Sequence, residues 1–90
     1  MYNLIITEKY QKRAEKFLTR HPNIVSQYDK ALNLLCLNPS HPSLRMHKLS
    51  GRFADVFSVS INISYRLIIN FIIHENQIVP IDIGSHDEVY

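Results

Sequence analysis

Cysteine and glycine are scarce in this sequence, and each shortage excludes a class of protein. The 90 residues contain one cysteine, two glycines and no tryptophan. A lone cysteine cannot form a disulfide within the chain, and the apolar neighbours of Cys36 favour a buried small side chain over a catalytic thiol. The glycines, Gly51 and Gly84, are too few for a phosphate-cradling loop. The sequence also lacks the G-x-S-x-G stretch that is typical of serine hydrolases, so a serine hydrolase is not expected.

Long apolar runs are also absent, which excludes a membrane-spanning helix. The stretch Met1–Thr7 lacks the basic region and apolar run of a signal peptide. Hydrophobic residues make up 46% of the chain and charged residues 20%, an ordinary globular balance. We therefore expect a cytoplasmic protein that forms a single domain over residues 1–90 and makes no membrane contact.

Metal motifs are missing as well. The five histidines lie at positions 21, 41, 47, 74 and 86, without the i, i+4 pairing of a helical metal site. We expect no metal and no other cofactor. The net charge is only +2, but between residues 41 and 66 a single acid, Asp55, accompanies four cations: Arg45, Lys48, Arg52 and Arg66. This imbalance predicts a local basic patch, although a merely solvated surface is nearly as compatible with the counts.

The spacing of apolar residues in the first half predicts a strand followed by a helical hairpin. Residues 2–7 are typical of a short strand, and Thr7 is a good N-cap for a helix. Apolar residues then recur on one helical face, at Tyr10, Ala14, Phe17 and Leu18. After a break at His21–Asn23, a second stripe comprises Ile24, Tyr28, Ala31 and Leu35. Pro39 ends the second helix, because the residue before a proline avoids the helical conformation.

The second half has the period of two that predicts strands, over residues 44–49, 57–61, 65–73 and 77–84. The gaps between these strands are too short for crossover helices, so the strands should pair antiparallel. Pro80 cannot donate a ladder hydrogen bond and therefore predicts an edge position or a bulge. The fold class is α+β, with the N-terminal strand and helical hairpin packed on a C-terminal antiparallel sheet. The other sheet face, bearing Ser58, Ser60, Arg66 and Asn70, is expected to meet solvent or a ligand.

A few polar residues on or beside this sheet could carry chemistry. Arg66 stands in a strongly apolar strand and must point at solvent or at an anion. His86 could exchange a proton near neutral pH, or be a solvated tail residue. Tyr90 could stack on a base or cap the core. Such side chains can cleave RNA without a metal, because a base can deprotonate the ribose 2′-OH while a cation stabilises the phosphate.

Three segments make the sequence resemble the RelE/YafQ superfamily of bacterial toxin–antitoxin toxins: His47–Gly51, Tyr65–Ile69 and Ile83–Tyr90. The likeness covers nearly the whole chain. It implies a RelE-like fold and a metal-independent endoribonuclease that cuts mRNA in the decoding site of the 70S ribosome. It also implies a cognate antitoxin that blocks the toxin, with DNA contacted only through that antitoxin.

The resemblance also implies roles for individual residues. Arg66 matches the arginine that holds the scissile phosphate, His86 matches a proton-transfer histidine, and Tyr90 matches an aromatic residue that places the RNA. His47 matches a further histidine of the YafQ-like branch. RNA-binding positions on and before the sheet are Arg45, Lys48, Arg52, Ser58 and Ser60.

RelE carries lysines where this sequence has Ser58 and Ser60, so proton transfer falls on His86 and His47. Two alternatives stay open: a ParE-like inhibitor of DNA gyrase, and a catalytically inactive homologue that acts through its antitoxin.

Overall fold

A computed structural model describes residues 1–49 and 55–89, and gives His86 and Glu88 by their backbone only. Two helices and a sheet of five strands make up most of it. In chain order the elements are β1 (Asn3–Leu4), α1 (Glu8–Arg20), α2 (Val25–Leu37), β2 (His47–Lys48), β3 (Val56–Ser60), β4 (Tyr65–Ile72), β5 (Gln77–Ser85) and a short α3 (His86–Val89). Gly51 and Arg52 lie outside the described residues. No helix in the described part is long and apolar enough to cross a membrane.

The helical hairpin follows the sequence prediction closely. Thr7 caps α1, its Oγ1 accepting the Tyr10 N–H at 3.1 Å. The predicted apolar stripes are buried, except that Leu18 is half-buried. Pro22 starts a short 3₁₀ turn that separates the helices, and α2 ends before Pro39. The two helices therefore present one continuous apolar surface to the sheet.

The sheet has the order β1-β5-β4-β3-β2. Strands β2 to β5 pair antiparallel, as predicted, and the α+β fold class is confirmed. The N-terminal strand is shorter than residues 2–7, and it pairs parallel with β5, with Asn3 opposite Gln77. The complete sheet is therefore mixed, because the helical hairpin acts as the crossover that a parallel pair needs.

The prediction of a strand over residues 44–49 is wrong for its first half. Pro42–Leu44 form a 3₁₀ turn, and Arg45 follows with a left-handed φ of 45°. Pro42 fixes its own φ at a helical value, which favours the turn over an extended start. Only His47–Lys48 pair with β3. The C-terminal end of β4 also differs from the prediction of residues 65–73. The strand ends at Ile72, and Ile73 begins another 3₁₀ turn and is 62% exposed.

Pro80 marks a bulge and also lies where β5 has a paired strand on one side, so both predicted placements are found. β1 pairs with β5 at Gln77 and Ile78, and within the described residues only β4 pairs with the later part of β5. The register shifts there: Ile69 faces Pro80 while Ile68 faces Asp82, so Ile81 is the extra residue. Beyond the bulge the Asp82 carboxylate accepts a hydrogen bond from Arg13 Nη1 on α1 at 2.8 Å. This ion pair between Asp82 and Arg13 links β5 to the first helix.

A buried pair of tyrosines ties the two helices together. The hydroxyls of Tyr10 and Tyr28 share a hydrogen bond of 2.7 Å. Burial is the main cause that raises the pKa of Tyr10, and the hydrogen bond to Tyr28 adds to it; burial also raises the pKa of Tyr28. Both phenols therefore resist ionisation as long as the chain is folded.

We expect alkali to destabilise the fold through this pair. Above pH about 10 the unfolded chain releases phenol protons that the folded state retains, so the free energy of unfolding falls as pH rises. The double variant Tyr10→Phe/Tyr28→Phe should lose less stability between pH 9 and about 11 than the wild type, in urea unfolding at each pH. Parallel losses in both proteins would contradict the prediction.

Candidate functional site

The sheet has a second face, opposite the helices, which we call the outer face. Leu67 and Ile69 of β4 point into the core, so by strand alternation Arg66, Ile68 and Asn70 point outward. The pairing places the remaining members beside them, because directly opposite residues share a face. The outer face thus includes Arg66, Ile68 and Asn70 on β4, Ser60, Ser58 and His47 on β3 and β2, and Gly84 and Asp82 on β5.

Arg66 lies on the central strand β4, one residue from its start. It lies between Ser60 on β3 and Gly84 on β5, and the absent side chain of Gly84 leaves space beside it. The side chain is half-buried, and its Nη1 is closed to solvent without a hydrogen-bond partner in the described residues. The nearest carboxylate along β5, Asp82, is engaged with Arg13. Arg66 is therefore a partly desolvated cation that an anion would complete.

Two more buried polar atoms on the outer face lack a partner among the described residues, Ser58 Oγ and Asn70 Oδ1. Native proteins leave few such atoms, so three on one face of one sheet form an unusual group. Ser58 is 0% exposed and Ser60 is 8% exposed, with the Ser60 hydroxyl donating to the Asn62 carbonyl at 2.8 Å. The serines share the face of Arg66, as expected, but they do not meet solvent, so direct RNA contact at Ser58 is closed in this conformation.

The remaining basic candidates that the structure describes lie together at the β2 edge of the sheet. His47 is exposed on β2 and shares the outer face, with its Cα roughly 12 Å from that of Arg66 by strand geometry. Lys48 lies opposite Phe57 and therefore has the helix-side parity. Arg45, His47 and Lys48 all line one groove of about 330 Å³ at this edge. Arg52 lies outside the described residues.

The C-terminal segment returns toward Arg66. Ser85 lies opposite Tyr65, and α3 begins at the next residue, His86, and packs against β5 and β4. The His86 backbone follows Gly84, the partner of Arg66, by two residues. Tyr90 lies outside the described residues. Sequence reasoning missed α3, although Ser85-His86-Asp87-Glu88 has the S-x-x-E pattern of a capping box.

Within the described residues, the cysteine and the histidines form no reactive thiol site and no metal centre. Burial raises the pKa of the half-buried Cys36 thiol, which disfavours the reactive thiolate. Within residues 1–49 and 55–89, no three His, Cys, Asp or Glu side chains converge as metal ligands would. Asn70 is the outer-face residue whose importance the sequence did not reveal, because its unpaired oxygen becomes visible only once its surroundings are known.

Comparison with known proteins gives structural matches only. The sequence matches no protein-family model and no curated protein. The fold superposes on YafQ in the E. coli DinJ–YafQ complex with a TM-score of 0.80 and 13% identity, over 100% of this chain and 99% of that one. A metal-bound toxin from Helicobacter pylori gives 0.79 and 22%, over 100% of both chains. The YoeB–YefM complex from Staphylococcus aureus gives 0.72 and 17%, over 96% and 98%. At these identities the likeness shows the fold, and this chain therefore has the fold of the YafQ and YoeB toxins, as its resemblance to the RelE/YafQ superfamily predicted.

Proposed function

We propose that this protein is the toxin of a type II toxin–antitoxin system and that it cleaves mRNA in the decoding site of the ribosome. The observation that carries the proposal is Arg66, a half-buried cation on the sheet face away from α1 and α2, whose Nη1 has no hydrogen-bond partner among the described residues. An RNA phosphate would supply an anion for this group. The shared fold with YafQ and YoeB supports the same assignment.

The reaction needs no group beyond the side chains and the RNA. A base removes the proton of the ribose 2′-OH, and that oxygen attacks the adjacent phosphorus. The bond from phosphorus to the 5′-oxygen breaks, and an acid protonates the leaving oxygen. Arg66 stabilises the negative charge that grows on the phosphate oxygens. The products are a 2′,3′-cyclic phosphate and a free 5′-hydroxyl.

Two histidines are assigned to the proton transfers, because they lie on opposite sides of the strand of Arg66. His47 is on β2, which β3 separates from β4, and the His86 backbone begins α3 directly after β5 on the other side. A base and an acid on opposite sides of the phosphate suit an attack in line with the leaving oxygen. Tyr90 is assigned to placing the RNA, and Arg45, Lys48 and Arg52 to holding its backbone.

An antitoxin is the proposed protein partner. YafQ and YoeB were both solved in complexes, with DinJ and YefM respectively. We propose that a cognate antitoxin covers the outer face and that any contact with DNA is made through it.

The test is cleavage of an mRNA by the wild-type protein with and without 70S ribosomes. We expect cuts only with ribosomes, and 3′ fragments with free 5′-hydroxyls opposite 2′,3′-cyclic or 3′-phosphate ends. An mRNA with a 2′-deoxynucleotide at the cut position should stay intact, because it lacks the nucleophile. Primer extension and end analysis measure both results. Growth arrest with intact mRNA and relaxed DNA would replace the proposal with gyrase inhibition, and no arrest would indicate an inactive homologue.

A further inference from the structure

The loop between β3 and β4, residues 61–64, presents one almost completely exposed isoleucine. Ile63 is 93% exposed, more than any other large apolar side chain among the described residues. Apolar side chains alternate along the chain from Phe57 to Ile61, and Ile63 continues that spacing. Ile61 is only 9% exposed, so the chain turns after it and carries Ile63 away from the core. Single exposed apolar residues are common on protein surfaces, so the role of Ile63 depends on its surroundings.

A network of hydrogen bonds centred on Asn62 fixes the shape of this loop. Asn62 Oδ1 accepts the backbone N–H groups of Ser64 and Tyr65, each at 2.9 Å. Asn62 Nδ2 donates to Gln27 Oε1 on α2 at 2.9 Å. The Asn62 carbonyl oxygen accepts the hydroxyl of Ser60 at 2.8 Å. These bonds hold the loop on both sides of its tip and join it to the helical hairpin.

The loop lies at the same end of β4 as Arg66. Tyr65 begins β4 and Arg66 follows it, so Ile63 precedes Arg66 by three residues. Three residues of chain span at most about 11 Å, which limits the distance between the Cα atoms of Ile63 and Arg66. Ser85 pairs with Tyr65, and the His86 backbone comes next along the chain. The exposed isoleucine is therefore close to the residues to which cleavage is assigned.

The proposed cleavage requires a particular conformation of the RNA. The 2′-oxygen must approach the phosphorus from the side opposite the leaving 5′-oxygen, and two stacked neighbouring nucleotides do not place these three atoms in line. Separating the two bases that flank the scissile phosphate permits the alignment, and an enzyme gains rate by holding that geometry. In protein–nucleic acid complexes, apolar side chains such as isoleucine separate stacked bases by inserting between them.

We propose that Ile63 is a positioning residue that inserts between the two bases flanking the scissile phosphate, and this rests on the proposed cleavage of mRNA. Its neighbours Asn62 and Ser64 are polar and uncharged, so the apolar surface is one side chain wide. A gap between two bases accommodates such a tip, whereas the core of a protein interface is a broader apolar patch. Because the loop is already held by hydrogen bonds, insertion orders few additional groups.

The test compares three variants at exposed positions. Ile63→Thr keeps the branched β-carbon and makes the tip polar, whereas Ile63→Leu keeps the tip apolar. Ile73→Thr is the matched control, because Ile73 is 62% exposed and follows the opposite end of β4. Surface substitutions of this kind seldom affect folding, and urea unfolding should give the wild-type midpoint for all three. The substrates are ribosome-bound mRNAs that differ only in the two bases at the cut.

For Ile63→Thr we expect single-turnover cleavage to fall by about 10-fold where two purines flank the cut, because purines stack strongly. The loss should be about 2-fold or less between two pyrimidines, which stack weakly. Ile63→Leu should stay within about 2-fold of the wild type on every mRNA, and Ile73→Thr should match it. A merely structural role for Ile63 would lower cleavage by the same factor on all the mRNAs.

A second measurement reports the bases themselves. An mRNA with a 2′-deoxynucleotide at the cut position resists cleavage, and 2-aminopurine on its 3′ side fluoresces more strongly when it is unstacked. Wild-type protein should raise that fluorescence on the ribosome, and Ile63→Thr should raise it less. An equal rise with both proteins, or a loss of cleavage that ignores the flanking bases, would overturn this inference and leave the proposed cleavage standing. A wild-type protein that cuts no mRNA would remove both.

Discussion

Arg66→Ala is expected to lower ribosome-dependent mRNA cleavage by about 10²–10³-fold, the usual cost of removing one donor that stabilises transition-state charge. It should leave the free energy of unfolding almost unchanged. The reason is that Arg66 Nη1 makes no hydrogen bond in the described structure, so its removal breaks no hydrogen bond at that atom and relieves a buried unpaired group, which offsets the packing lost with the half-buried side chain. Arg66→Ala should therefore lower cleavage without lowering the free energy of unfolding.

Primer extension on one mRNA and thermal unfolding of the same preparations measure the two quantities. Arg66→Lys retains the charge but not the planar fork, so its activity should lie between wild type and alanine. Lys30→Ala removes an exposed cation of α2 and should cleave like the wild type. In the same assay, His86→Ala should also lose cleavage if it transfers a proton. A fall in stability of Arg66→Ala as large as that of a core substitution would remove the assignment.

Leu67→Ala is expected to cost about 2–5 kcal/mol of unfolding free energy, the range for truncating a buried leucine. Leu67 is 0% exposed, belongs to the central strand β4 and packs among the core residues beneath the helices. Native proteins have a total free energy of unfolding of about 5–15 kcal/mol, so for a domain at the low end this loss would leave a measurable fraction of the molecules unfolded at 37 °C.

Urea unfolding measures that loss, and Leu37→Ala is the matched control. It makes the same chemical change at a position that is 66% exposed, and it should stay within about 0.5 kcal/mol of wild type. Similar losses at both positions would contradict the placement of Leu67. Arg66 and Leu67 are neighbours in sequence, but strand alternation places them on opposite faces of the sheet. We therefore expect the first substitution to lower activity and the second to lower stability.

The elements that the sequence predicted well are those fixed by local chemistry. Thr7 satisfies a free N–H of the first turn whatever the tertiary structure, and the stripe from Tyr10 to Phe17 has one amphipathic solution. The alternation at Phe57 and Val59 likewise places both side chains on the core side of the sheet. Pro80 gave two options, and both hold, because it adjoins the bulge and lies beyond the residues of β5 that pair with β1.

The features that the sequence did not predict depend on distant partners. Residues 2–7 could not reveal a parallel neighbour more than seventy positions away, at Gln77. The extended pattern of residues 44–49 concealed the turn that Pro42 starts. For the candidate site, alternation placed Arg66 and Ser58 on one face, but only the packed structure shows that Ser58 is closed to solvent and that Asn70 has an unpaired oxygen.

The position of β5 also bears on how the chain acquires its structure. β5 follows every other strand in chain order, yet it lies inside the sheet and joins β1 to β4. Until residues 77–85 emerge during synthesis, β1 has no neighbour, β4 has an open edge, and Arg66 lacks the strand that carries Gly84. Pairing across so long a separation makes folding slow relative to local structure. In a nascent chain of this protein, β1 and the open edge of β4 therefore stay unpaired until β5 inserts between them. The folding of the sheet and the assembly of the Arg66 surroundings then become a single late event.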